Sequence, residues 1–355
     1  MIIKTEKIKQ SMATIMPGIA DKAKVTVEGA DLVVFVNKKM MSYNSKVAVS
    51  VPMDIESEPF GVRAKDLFNL VSKIKEEEIE FEPDVPGNKL KIKSGKLRAT
   101  LIMQDTSSVS KLLAKMKFGE EKPLPANFVE AVKATAIPDN ITPLRGFAVG
   151  KVGDKTLLVS TDRVRISSSV LNSDMQQCLL DDTLVSDAVE FGTPKTYSIV
   201  GPWFHFGYDD GMHFSMIRSD DSAFPFEAMG GALERAKQLA VVAKFDFPET
   251  LAPVADRVTT MGSADEGSRI QCELKIESDK MTVIAQKSTG TAEEEIPWKT
   301  PIAIESPARV WMPVKTLLTL AGKSTNCSIV DMGGTKRAVL IQNGDYTMVA
   351  SCSKT

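Results

Sequence analysis

Three short stretches decide the fold: Gly29-Ala30-Asp31-Leu32-Val33-Val34-Phe35, Gly153-Asp154-Lys155-Thr156-Leu157-Leu158-Val159 and Ser278-Asp279-Lys280-Met281-Thr282-Val283-Ile284. Each is a charged turn that runs into a short apolar strand, and each follows an amphipathic helix pattern. With Leu32, Leu157 and Met281 aligned, the separations are 125 and 124 residues. That period is too long for a solenoid unit and suits a whole domain. Each unit then repeats its own pattern. Helices are expected at 65–71, 182–189 and 314–320, each followed by two strands. The strands are joined by turns at Pro86-Gly87-Asn88, Asp209-Asp210-Gly211 and Gly333-Gly334, residues that accept tight hairpin angles. The chain therefore reads as α+β, with three similar domains at 1–118, 119–226 and 227–355. Each holds two helices packed on antiparallel sheets.

Composition fits this reading. A chain of 355 residues, 43% hydrophobic and 25% charged, has the balance of a globular protein with real cores. The N-terminus does not read as a signal peptide, and no apolar run approaches the ~20 residues of a membrane span. Cys178, Cys272, Cys327 and Cys352 are scattered without metal-ligand spacing, which points to a reduced cytoplasmic setting and leaves the Asn140-Ile141-Thr142 sequon without meaning. The net charge of −2 argues against a surface coated in positive charge but allows a basic lining with an acidic exterior.

The helices bear on that choice. Ile8, Met12, Ile15 and Met16 form the expected buried stripe of the first helix, with Lys4, Lys7, Gln10, Ser11 and Thr14 off it. Leu67, Leu70, Val71 and Ile74 form the next stripe, leaving Lys65, Asn69 and Lys73 on the open face. Phe128, Val132 and Ala136 leave Lys133 open; Val314, Leu317, Leu318 and Ala321 leave Lys315, Thr319 and Lys323 open. Lysines among small polar residues suit loose contact with phosphates, although solvated helix faces have the same composition. One helix differs, with Asp182, Ser186, Asp187 and Glu190 on an acidic open face.

Signals for catalysis are poor. The only histidines, His205 and His213, flank the Asp209-Asp210-Gly211 turn as strand residues; a metal-dependent hydrolase built on them and nearby aspartates is the enzyme reading to test. Gly333-Gly334-Thr335-Lys336 lacks phosphate-loop spacing, and no Gly-rich dinucleotide fingerprint is present. Ile79 and Phe81 alternate with acids in Glu78-Ile79-Glu80-Phe81-Glu82, the pattern of a strand with one wet face. No cofactor or metal is expected.

Taken in order, the motifs resemble the bacterial-type DNA sliding clamp, the DNA polymerase III beta subunit family. The resemblance runs along the whole chain. Val62-Arg63-Ala64-Lys65-Asp66-Leu67, followed by Glu78-Ile79-Glu80-Phe81 and Leu90-Lys91-Ile92-Lys93-Ser94-Gly95, is similar to the family's first domain. Ser160-Thr161-Asp162-Arg163-Val164-Arg165-Ile166 resembles its Thr-Asp-Gly-His-Arg-Leu motif, and Ala223-Phe224-Pro225-Phe226 its second interdomain link. Ala292-Glu293-Glu294-Glu295-Ile296 and Asp345-Tyr346-Thr347-Met348-Val349 resemble strands of its third domain.

This resemblance implies a non-enzymatic processivity factor: a homodimeric ring, domain one against domain three, that encircles duplex DNA without sequence preference. Its partners would be a DNA polymerase and a clamp loader. Candidate DNA contacts are Lys7, Lys22, Lys24, Lys65, Lys73, Lys133, Lys315 and Lys323. The dimer interface is expected near Ala99, Thr100, Leu101, Thr260 and Met261. A partner-peptide pocket carries over to Leu144, Thr161, Arg163, Val164, Arg165, Ile166, Pro225, Met312, Val349, Ala350 and Ser351, with residues 350–355 expected as a docked tail whose removal spares the fold. Arg163-Val164 stands where the family has Gly-His, and the tail Ala350-Ser351-Cys352-Ser353-Lys354-Thr355 replaces a Met-Pro-Met-Arg-Leu-like end. Such departures suit a diverged member serving its own polymerase, for instance a viral one. The alternative is a clamp-fold protein scaffold that does not encircle DNA, motivated by the acidic helix. Either would be cytoplasmic, nucleoid-associated or in a host cytoplasm.

Overall fold

The computed structural model describes residues 1–20, 28–135, 146–162, 164–221, 224–260, 271–287, 290–322 and 326–353. Along them one order of elements runs three times. The first pass is β1 (Ile2–Lys4), α1 (Thr5–Ile15), β2 (Leu32–Val36), β3 (Lys39–Tyr43), β4 (Val47–Pro52), β5 (Phe60–Arg63), α2 (Ala64–Val71), β6 (Glu78–Asp84), β7 (Lys89–Ser94) and β8 (Leu97–Ile102). Helix α3 (Ser107–Lys115) leads to the second: β9 (Lys122–Pro123), α4 (Phe128–Ala134), β10 (Phe147–Val152), β11 (Lys155–Thr161), β12 (Arg165–Leu171), β13 (Cys178–Leu180), α5 (Asp182–Glu190), β14 (Thr196–Val200), β15 (Trp203–Gly207) and β16 (His213–Ile217). Helix α6 (Phe226–Gln238) leads to the third: β17 (Val241–Phe245), α7 (Leu251–Thr260), β18 (Gln271–Ile276), β19 (Lys280–Lys287), β20 (Gly290–Pro297), β21 (Ala308–Pro313), α8 (Val314–Ala321), β22 (Cys327–Asp331), β23 (Lys336–Asn343) and β24 (Tyr346–Ser353).

Strand order repeats as well. β5-β2-β3-β4, β13-β10-β11-β12 and β21-β18-β19-β20 share one four-strand order; β1-β6-β7-β8, β9-β14-β15-β16 and β17-β22-β23-β24 share another, all antiparallel. Element order corrects the alignment of the three stretches. Leu32 lies on β2, a first strand, whereas Leu157 and Met281 lie on second strands; the equivalent residue of the first pass is Met40 on β3. Two consecutive apolar strands joined by a charged turn offer the same local pattern twice, so the sequence allowed a slip of one strand.

The chain forms two compact units, Met1–Leu124 with Thr183–Ser219 and Pro125–Asp182 with Asp220–Thr355. In the first, β4 pairs with β16 through His213↔Ser50, Phe214↔Val49, Ser215↔Ala48 and Met216↔Val47, making one eight-stranded sheet. A separate four-stranded sheet follows from simple alternation: Ile79 and Phe81 on β6 are fully buried, while Glu82 on the wet face takes Lys91 and Lys93 as partners. Phe35 stacks on Phe60 at 4.7 Å and meets Phe81 edge-on at 6.4 Å. α3 covers the eight-stranded sheet, with Val109 and Leu113 packed among Leu32, Val34, Met41, Tyr43 and Ala48.

In the second unit β12 pairs with β24 and unites twelve strands. One face of that sheet carries a core of Leu251, Ala255, Leu274, Met281, Val283, Val310, Met312, Leu317, Ile329 and Met348. α6 covers part of the opposite face.

Some of the expected helix faces shift. Met16 is exposed because α1 passes into a 3-10 turn at Met16–Gly18, which rotates it off the stripe. Leu318 is exposed too, since α8 turns Val314, Leu317 and Leu320 inward instead. Ser11, expected on the open face of α1, is buried, and so is Asp182, expected on the acidic face of α5. Ala136 lies outside the described residues.

Phe214 on β16 is fully buried beside β4, its ring centroid 5.9 Å from that of Phe191. Phe214→Ala is expected to cost about 3–5 kcal/mol of stability, read as a lowered urea midpoint.

Candidate functional site

The described residues of the 160–166 motif are gathered around Asp162. Asp162 Oδ1 accepts the backbone N–H groups of Val164 at 3.0 Å and Arg165 at 2.7 Å, an Asx-type turn dictated by the short carboxylate. Its other oxygen takes Arg165 Nε at 2.8 Å and Nη2 at 2.7 Å. Both side chains are about 95% buried, so the pair is dry. Arg165 Nη1 goes on to donate to Thr319 Oγ1 at 2.9 Å, tying the turn to α8, and the Thr161 hydroxyl donates to Arg165 O at 2.7 Å. The guanidinium therefore has a carboxylate and a hydroxyl on separate arms, as a buried cation requires.

From this turn β12 runs antiparallel to β24, with Arg165 opposite Ala350 and Ile166 opposite Val349. Ser351 N donates to Val164 O at 2.9 Å. Strand alternation separates these residues. Val349 joins Leu233 and Ala236 of α6 and Val330, Ala338 and Leu340 in one cluster, with Ile166 at its edge. Phe224, Phe226 and Met229 continue that surface over Ala148, Leu157, Val159 and Leu179. Ala350 and Met312 instead lie fully buried in the core on the other face. Of the expected pocket residues, then, Ile166, Pro225 and Val349 share the neighbourhood of α6, Val164 and Ser351 are joined to each other by a backbone bond, and Thr161 and Arg165 bond to each other beside Asp162. Leu144 and Arg163 lie outside the described residues.

The C-terminal residues correct another expectation. Residues 350–353 are the end of β24: Ala350 pairs with Arg165 of β12, all four pair with β23, and Ala350 and Cys352 lie in the core, so removing 350–355 is expected to cost stability instead of sparing the fold. The reason is backbone pairing: a polar-looking end becomes core when strands flank it on both sides.

Lys7, Lys65 and Lys133 are exposed on α1, α2 and α4. Lys73 is exposed in the turn after α2, which ends at Val71. Lys22, Lys24, Lys323 and Met261 lie outside the described residues, as do the side chains of Lys315 and Thr260. On β8, Ala99 and Leu101 are half-buried and Thr100 is exposed. Among the described residues, β8 and β20 each pair on one side only, with β7 and β19.

The histidines do not converge on a shared ligand. His205 sits opposite Ser215 and its Nδ1 is 2.7 Å from Ser215 Oγ, whereas His213 Nε2 meets Glu121 at 3.0 Å. Phe118 packs on both rings, stacked on His213 at 4.2 Å and edge-on to His205 at 5.2 Å. Among the described residues, no group of three His, Cys, Asp or Glu side chains is placed to hold a metal. The four cysteines are buried as free thiols, and burial pushes Cys272, Cys327 and Cys352 up to about 12. Among the described residues, no helix is long and apolar enough to cross a membrane.

Thrice-repeated pairs of helices on four-stranded antiparallel sheets, joined through β4–β16 and β12–β24, are the DNA sliding-clamp fold. Over the whole chain the structure is similar to the DNA polymerase III beta chain of Streptococcus pneumoniae, with a TM-score of 0.80, 14% identity and coverage of 100% of this chain and 99% of that one. It is similar to the sliding clamp of Bartonella birtlesii bound to griselimycin, at 0.79, 16%, 100% and 99%. It also matches the beta subunit from Caulobacter crescentus, at 0.79, 15%, 100% and 99%. No protein-family model matches the chain, and no curated protein does.

Two outcomes follow from this geometry. Asp162→Ala strands the Arg165 charge in the interior and is expected to cost about 3–5 kcal/mol by denaturant titration. Burial, reinforced by the nearby His213, lowers His205 from 6.5 to about 4. The unfolded chain then binds a proton that the folded chain refuses between those values. Stability is complete above pH 6.5 and falls by about 3 kcal/mol as pH drops toward 4, with no further decline from this group below that. His205→Gln should flatten that segment of the urea-midpoint against pH curve.

Proposed function

We propose that this chain is a DNA sliding clamp: a ring-shaped, non-enzymatic processivity factor that encircles duplex DNA and tethers a replicative DNA polymerase. The observation that carries the reading is the pair of strands left over by the repeat. β4 pairs with β16 and β12 with β24, each the last strand of one four-stranded order against the last strand of the other. By the same rule β20 calls for a strand equivalent to β16 and β24, and β8 is that equivalent with a free edge. A second copy supplies it head to tail. Two copies complete a closed assembly of six repeats, and closure removes exposed sheet edges.

In this reading the domains are 1–118, 119–226 and 227–355, and the dimer contact runs through Ala99, Thr100 and Leu101 toward the third repeat. Lys7, Lys65, Lys73 and Lys133 make loose phosphate contacts, joined by Lys22, Lys24, Lys315 and Lys323. A polymerase and a clamp loader dock near Val164, Ile166, Pro225, Val349 and Ser351, and the protein works in the cytoplasm. The second reading, a scaffold of the same fold that does not encircle DNA, draws on α5, where Glu190 is exposed and Asp187 half-buried.

Retention on circular DNA separates the two. A clamp loaded on nicked circular duplex stays bound through gel filtration and falls off when the circle is linearised. Equal retention on circular and linear DNA, or none on either, would sink the encircling reading. Lys7→Glu with Lys65→Glu should weaken DNA association without change in the unfolding midpoint. The slope of log affinity against log salt should fall by about 1 for every phosphate that is no longer neutralised.

A further inference from the structure

The chain between α3 and β9 does more than connect. Strands β3, β4, β16, β15 and β14 lie side by side in the eight-stranded sheet, and residues 116–123 touch them from one pass to the next. Met116 packs against the cluster of Met41, Tyr43 and Ala48 in the first pass, and Lys122 ends opposite Tyr197 of β14 in the second. The segment therefore bridges the β4–β16 seam.

Phe118 is its centre. The ring stacks on His213 of β16 at 4.2 Å, meets His205 of β15 edge-on at 5.2 Å and has Lys39 Nζ of β3 over it at 4.8 Å. The Ser198 hydroxyl of β14 donates to Phe118 O. Gly119 adopts a φ of +69°, and a Cβ there would lie 2.6 Å from Val200 Cγ2, so the backbone comes down closely onto β14.

The histidine beneath is short of acceptors. His205 is only 1% exposed. Its Nδ1 lies 2.7 Å from Ser215 Oγ, and its Nε2 has no hydrogen-bond partner. An imidazolium carries hydrogen on both nitrogens, so protonation would leave a buried N–H without an acceptor. The titratable groups around it are His213 from β16, Lys39 from β3 and Glu121 from the bridging segment, while β14 presents Ser198 opposite. Glu121 is already engaged on both oxygens, by Thr196 Oγ1 at 2.6 Å and by His213 Nε2 at 3.0 Å.

We infer that residues 116–123 form an acid-released clasp over the β4–β16 seam: Phe118 keeps water from His205, and protonation of His205 drives the clasp open. Release breaks the two-residue β9–β14 pairing and leaves the β4–β16 ladder in place. The closed clasp favours the neutral ring, which takes a proton only at about 4, whereas the open one lets it titrate at 6.5. The opening equilibrium is therefore constant above pH 6.5, rises about tenfold per unit below it, and levels off near pH 4 after about 300-fold in all.

The chain has only two histidines, so proton NMR reads each imidazole C2–H signal directly, with His205→Gln and His213→Gln to assign them. His205 should titrate near pH 4 in the unaltered chain and return toward 6.5 in Phe118→Ala, which lacks the covering ring. Hydrogen exchange provides a readout free of any variant. Corrected for intrinsic rates, residues 116–124 should open up to about 300-fold more at pH 4 than at pH 6.5, in excess of any change in β4 and β16. A His205 that titrates near 6.5 in the unaltered chain, one that titrates no higher in Phe118→Ala, or exchange at 116–124 that rises only in step with β4 and β16 would overturn the clasp. No readout involves DNA or polymerase, so failure of the clamp reading would show separately, in the circular-DNA experiment.

Discussion

Backbone hydrogen bonding at strand edges is the constraint on which this structure depends. A four-stranded antiparallel sheet ends in a strand with a row of unpaired N–H and C=O groups, and those groups favour pairing. Here β4 and β12 meet that demand with β16 and β24, last strand against last strand. Main-chain pairing asks little of side-chain identity beyond alternation. That explains how a fold persists at 14–16% identity to solved sliding clamps. Among the described residues, β8 and β20 are the last strands of their four-stranded orders that lack such a partner.

The seams have two faces, and the faces do different work. On one side of β12 the buried Asp162–Arg165 pair and Thr319 lock the turn that starts the strand. On the other, a connecting helix covers apolar residues that would otherwise meet water. α3 does the same over β2, β3 and β4. The connectors are thus structural covers as well as links, and they differ in strength: α6 carries a glycine pair at its centre, while Ser107-Ser108-Val109-Ser110-Lys111-Leu112-Leu113 of α3 has none.

Much of this architecture is legible in the residues themselves. Glu78-Ile79-Glu80-Phe81 reads as a half-buried strand, and the helices at 64–71, 182–190 and 314–321 fall within a few residues of their apolar periodicity. The hairpin turns at 86–88, 209–211 and 333–334 follow from residues that tolerate unusual backbone angles, with Asn88, Gly211, Gly333 and Gly334 all at positive φ. α3 and α6 were not legible. In α6 the glycine pair runs against helix propensity, and the close approach to Val152 accounts for Gly230. For the expected pocket residues the sequence was silent on facing: Val349 and Ala350 are neighbours in sequence, and nothing local says which of them faces the core.

The sequence by itself determined that a domain-sized unit recurs and that helix and sheet alternate within it, because these rest on local propensity and composition. Tertiary structure decided what pairs with what. It made the polar-looking C-terminal residues a central strand, since β12 and β23 flank β24 on both sides. It put Met312 and Ala350 in the core but Ile166 and Val349 beneath α6, since a pleated strand sends successive side chains to opposite faces and only its neighbours fix which face is which.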